Sequence, residues 1–288
     1  MGHSNSKPTT LHLPQALANS ASLPHRLVAS YAANKKSVLL SDPDTPPRQR
    51  PEHAYTLTLN DGWHGALTMV YGGPDNTEPD APLATARPAG RMRLDYAITL
   101  PPPPSESVDE HPQRGGGAQL GEVVLRYSAS LRREAYRFAI EVGCGPDARP
   151  IIERFEWRRS HGAEVNGVEG GGGWGWKLVR IGNDSNVKAK NANVELTTED
   201  EGEGLSGGWT SDGKEVVAMW ANTGDTTLSK VDSKADSKVG MLEFRGSGAT
   251  GELGPVWSVM AAVSATCIWV KRMQTTTRTG AVLWCDAS

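Results

Sequence analysis

Only three cysteines and three phenylalanines occur in 288 residues, and no catalytic motif stands anywhere in the chain. Cys144, Cys267 and Cys285 are odd in number and lack C-x-x-C spacing. That excludes a disulfide framework and points to reduced thiols in an intracellular protein. Histidines 3, 12, 25, 53, 64, 111 and 161 never reach zinc-ligand spacing with each other or with the cysteines, so no metal and no cofactor is expected. Charge of one sign is also missing. A net charge of -3 gives no global attraction to nucleic acid or to an acidic membrane, so either partner would need a local patch. The first 30 residues carry no apolar signal-peptide core, which disfavours secretion, although basic residues there leave room for an organellar presequence.

The catalytic templates fail one by one. Ser160 and His161 are neighbours, so on a strand they point apart and cannot serve as nucleophile and base; no Gly-x-Ser-x-Gly elbow exists. Gly170 to Lys177 has glycine and lysine without the Gly-Lys-Ser/Thr ending of a phosphate loop. The expectation is a protein that is not an enzyme. Asp61, Asp95 and Glu122, meeting across a barrel, keep open an alternative in which an enzyme works on a small ligand in a cleft.

One long apolar run is present. Leu253 to Val270 is 18 residues without charge, opened by Pro255 and followed by Lys271-Arg272. Proline at a first helical position and cations at the end predict a helix over 255–272. Val256, Met260, Val263, Cys267 and Val270 mark one face, but Trp257, Val259, Ala261 and Ile268 fill the others, so the helix must be enclosed by protein or by lipid. Gly254, Pro255, Ser258, Ser264 and Thr266 make it a poor membrane span. At ~1.5 Å per residue it measures ~27 Å, close to the height of a barrel of tilted strands.

Around it the pattern is short and alternating. Residues 1–52, rich in Ser, Pro, Asn and Ala, read as a disordered tail, and 53–288 as the domain. Within the domain, runs beginning near Tyr55, Leu67, Leu94, Val123, Tyr136, Ile151, Trp174, Val194, Val216 and Leu242 have strand periodicity, and Val282–Trp284 is expected to close the series after the helix. The fold class is therefore all-β: a barrel of roughly twelve strands enclosing a hydrophobic C-terminal helix. Nine tryptophans suit the wide space between a barrel wall and a helix.

If Phe155 and Trp157 point inward, Arg154 and Arg158 point outward; by the same alternation Arg137 and Lys177 join them. Guanidinium forks and an ammonium suit phosphate oxygens, which makes these four a candidate lipid- or phosphate-binding row. Glu141, Glu153 and Glu156 are interleaved with them, and the competing reading is a surface of paired charges.

The segments Phe155-Glu156-Trp157-Arg158-Arg159-Ser160, Gly175-Trp176-Lys177-Leu178-Val179-Arg180 and Leu253 to Met260 resemble uncharacterised fungal proteins of the tubby C-terminal-like, or LURP-one-related, fold, over roughly residues 54–272. The resemblance implies a twelve-stranded barrel threaded by a C-terminal helix, and a superfamily that holds phosphoinositide-binding tubby domains and phospholipid scramblases. It implies a cytoplasmic scaffold or adaptor that is membrane-peripheral through phosphoinositide or engages a protein partner. A scramblase-like protein inserted through 253–270 is the alternative. The long loops and residues 273–288 depart from the family pattern.

Overall fold

The computed structural model describes residues 23–32, 36–45, 55–60, 65–71, 82–100, 121–129, 133–144, 150–161, 165, 167–168, 171–183, 208–223 and 238–285. Twelve strands form one closed antiparallel barrel: β1 (Arg26–Tyr31), β2 (Ser37–Ser41), β3 (Tyr55–Leu59), β4 (Leu67–Tyr71), β5 (Ala84–Ala89), β6 (Asp95–Leu100), β7 (Gly121–Ala129), β8 (Glu134–Cys144), β9 (Pro150–Ser160), β10 (Gly171–Asn183), β11 (Glu215–Thr223) and β12 (Lys238–Phe244). Each strand pairs with its neighbour in sequence, and β1 closes the ring against β12, with Leu27 opposite Leu242. Closure leaves no unpaired edge. A short helix α1 (Gly246–Ala249) and the long helix α2 (Pro255–Cys285) complete the fold.

Apolar side chains alternate inward along the strands and meet α2 on every side. Tyr136, Phe138 and Ile140 of β8 are buried, while Arg137, Ala139 and Glu141 are exposed. From Trp257 to Val270 every residue of α2 is buried. Trp257 sits between Phe155 and Phe244, with ring centroids 5.6 and 5.8 Å away. The indole of Trp157 donates to the Ser264 hydroxyl at 2.9 Å, so a polar atom on the wall and one in the helix satisfy each other in the core. Close approach is needed at Gly248, where a Cβ would stand 2.2 Å from the Val217 carbonyl and 2.7 Å from the Trp257 ring.

The enclosed helix and the barrel thus follow the sequence expectation, while some of its boundaries and elements are corrected. The tail reading of 1–52 fails at its C-terminal half, because β1 and β2 lie within it and supply two staves of the barrel. Residues 1–22 lie outside the described residues. Lys271-Arg272 does not end the helix, which continues to Cys285 and so takes in Val282–Trp284, expected as a strand. Val194–Leu196 lies outside the described residues, and β5 was not foreseen. No helix among the described residues is long and apolar enough to cross a membrane, which says nothing about strands.

Of the tryptophans, Trp157, Trp176, Trp220, Trp257 and Trp269 pack in the core, whereas Trp209 is 54% exposed. Trp63 and the side chain of Trp284 lie outside the described residues. Cys267 is a free thiol buried on α2, and that burial pushes its pKa far up.

Candidate functional site: a basic row on the outer wall

Register decides which outward side chains share a neighbourhood. Across β7, β8 and β9, Arg126 stands opposite Arg137, and Arg137 opposite Glu156. One row along, Ala135 of β8 is opposite Arg158 of β9, which is opposite Lys177 of β10. Neighbouring strands are ~4.8 Å apart, so these cations occupy a patch roughly 14 Å wide. Arg154 is on the same face, opposite Ala139 and Gly182, but lies four residues from Arg158 on β9, roughly 13 Å away. The structure therefore gathers Arg137, Arg158 and Lys177 and leaves Arg154 at the margin.

Glu156 is the hub. Only 8% exposed, it accepts from Nε of Arg137 through one oxygen and from Nε of Arg158, at 2.7 Å, through the other. Of the three acids expected to pair with the row, Glu156 does so with two of its members. Glu153 turns to the inward side and binds Arg180 at 2.5 and 2.6 Å. Arg158 gains a second carboxylate, Asp212, whose two oxygens stand 3.1 and 3.0 Å from Nη1. Burial alone lowers the Arg158 pKa, but the two carboxylates outweigh it and raise the net value. For Asp212, burial pushes upward and is outweighed by the Thr210 hydroxyl and by Arg158, so its carboxyl titrates below the usual aspartate range.

Two members escaped the sequence reading. Arg126 carried a usable signal, because Leu125 and Tyr127 flank it and point inward. Asp212 carried none, since its place follows from a hairpin that folds back on the wall.

The cleft constellation does not assemble. Asp95 accepts the backbone N–H of Tyr127 at 2.8 Å, and Glu122 pairs with Arg87 at 2.9 Å near the opposite end of the β6–β7 ladder. Asp61 lies outside the described residues. Among the described residues, no three His, Cys, Asp or Glu side chains meet in a way that would hold a metal ion. Comparison with family models, with curated proteins and with solved structures returns no match.

Proposed function

We propose that this chain is a non-enzymatic intracellular scaffold of tubby-like type, whose outer basic row takes the phosphorylated headgroup of a phosphoinositide and so makes the protein membrane-peripheral. The observation that carries the reading is two pairs of like-charged neighbours placed side by side, Arg126 opposite Arg137 and Lys177 opposite Arg158. Like charges directly opposite across strands destabilise a sheet. Glu156 lies between Arg137 and Arg158, and Asp212 adds a second carboxylate to Arg158, so the row already holds anionic oxygens against its guanidiniums, as it would hold those of a multiply charged anion. Guanidinium forks bind phosphate oxygens bidentately, and a lysine adds a mobile point charge.

Support for binding rather than catalysis comes from the interior, where α2 and the core aromatics occupy the space that a cleft enzyme would need. For the headgroup, the test is flotation with phosphatidylcholine vesicles, with and without phosphoinositide, at low and physiological salt. The expected result is flotation only with phosphoinositide, weakened by salt and lost in a variant carrying Arg137→Glu, Arg158→Glu and Lys177→Glu. Flotation of that variant equal to the parent would overturn the reading. Salt-insensitive flotation with every vesicle would mean that α2 enters lipid.

A further inference from the structure

The residues before β11 form a structure of their own. Trp209 makes an isolated bridge with Glu215, Val216 donates its N–H to the Gly208 carbonyl at 2.7 Å, and Thr210 donates to the Lys214 carbonyl at 2.8 Å. The Lys214 N–H returns to the Thr210 hydroxyl at 2.9 Å, and Gly213 closes the tip with a φ of 68°, a left-handed conformation that suits glycine. This Gly208–Lys214 hairpin stands outside the twelve-stranded ladder, yet its tip residue Asp212 reaches the wall and grips Arg158.

The two carboxylates on Arg158 differ in kind. Glu156 belongs to the wall: it is buried, sits on β9 itself and is shared with Arg137. Asp212 is a visitor, with its side chain 49% exposed and the Thr210 hydroxyl that also supports it inside its own hairpin. Trp209, the bulkiest residue of the hairpin, is 54% exposed, so it brings no large apolar anchor to the wall. An ion pair this exposed contributes about 0.2–1 kcal/mol and opens readily.

We infer that Asp212 is an internal stand-in for the anion the wall was built to hold, and that the Gly208–Lys214 hairpin is a self-inhibitory strap released when a phosphate monoester takes its place on Arg158. The inference rests on the anion-binding reading above. A carboxylate brings one negative charge and, of the row's cations, is paired here with Arg158. A phosphate monoester brings up to two charges and three acceptor oxygens, enough to engage Arg158 and the facing Lys177 together. Competition between the two is therefore uneven, and the visitor leaves.

The test compares the full chain with Asp212→Asn, which keeps the volume and removes the charge, on phosphatidylcholine vesicles doped with phosphoinositide and on neutral phosphatidylcholine. Inorganic phosphate as competitor separates the sources: displacement at equal phosphate concentration identifies a free-phosphate site, and resistance identifies a headgroup site. Asp212→Asn should bind about twofold to fivefold more tightly, with stability lowered by no more than about 1 kcal/mol. In the unaltered protein, hydrogen exchange at the amides of Lys214 and Gly213 should speed up when the doped vesicles bind. If the parent binds and Asp212→Asn binds equally or more weakly, or if those amides become more protected, the strap is refuted while the basic row stands. If neither protein binds doped vesicles at low salt, the row and the strap fall together.

Discussion

The two ends of the barrel hold the same helix by opposite means. Where α2 enters, Arg180 lies on the inward side and is ringed by Glu153, by Glu215 at 3.4 Å, by Glu252 at 3.0 Å and by the Ser247 hydroxyl at 3.2 Å. Those hydrogen bonds, the one to Glu153 foremost, raise its pKa well above that of a free arginine. Glu215 also accepts the Ser247 N–H at 2.7 Å, which ties β11 to α1. Where α2 leaves, the grip is looser. Trp174 lies between the guanidiniums of Arg159 and Arg272, at 5.5 and 5.0 Å, Arg272 pairs with Glu134 at 3.6 Å, and Lys271 donates to the Arg93 carbonyl at 2.9 Å. The entry end is anchored through several interlocked groups; the exit end is guided by a ring of separate, part-exposed contacts. Anchoring one end and guiding the other lets a helix longer than the barrel keep a fixed depth.

That contrast can be broken experimentally, and the largest effect belongs at the entry. Trp257→Ala empties the space between Phe155 and Phe244 and should cost about 3–5 kcal/mol in denaturant unfolding. Next, Arg180→Leu strands Glu153, whose side chain is 9% exposed, and should cost about 2 kcal/mol, below the range for fully buried pairs because Arg180 keeps some solvent contact. In mid-helix, Ser264→Ala leaves the Trp157 indole N–H without its acceptor and should cost about 1–3 kcal/mol by the same measurement. At the exit, Glu134→Gln should cost no more than about 1 kcal/mol, because this part-exposed pair is long, at 3.6 Å. An exit variant as damaging as Arg180→Leu would show that both ends are anchors.

The smallest effect concerns the hairpin and is a matter of pH. The Asp212 pKa is depressed in the folded state, so the stability it contributes is present above the ordinary aspartate pKa and is lost as pH falls through the lowered folded value. With Asp212 half exposed, the loss should not exceed about 1 kcal/mol. Faster exchange of the Gly213 amide in acid, absent in Asp212→Asn, would report it.

Much of this architecture is written locally in the chain. Alternation around Tyr136–Val142 and Phe155–Trp157, together with an apolar run opened by Pro255, suffices for a barrel closed on a helix, because strand and helix periods are short-range properties. Failures occur where tertiary packing overrides a local signal. Lys271-Arg272 looks like a helix stop, yet these residues mark the rim, where Glu134 and the Arg93 carbonyl receive them while the helix runs on. Strand β5, Ala-Thr-Ala-Arg-Pro-Ala, shows no bulky alternation, since Ala84 and Ala86 are the small residues buried in the core that α2 also fills. Strand β2 is buried at all five positions and so lacks the polar half of the alternation that reveals a strand. In the basic row, alternation gives the outward direction of Arg137, Arg158 and Lys177. Only cross-strand register shows that they meet and that Arg154 stands apart.

Threading a barrel with a segment that follows all its strands sets the order of assembly. Strand β1 must wait for β12, more than 200 residues later, before the ring can close. Until α2 emerges, the inward tryptophans of β9, β10 and β11 have only their neighbours on the wall to pack against. Contacts so distant in sequence make for slow folding, and a half-built barrel exposes both an apolar lining and unpaired strand edges. The ring therefore cannot close before β12 is made, and its lining is covered only when the helix that follows β12 is in place.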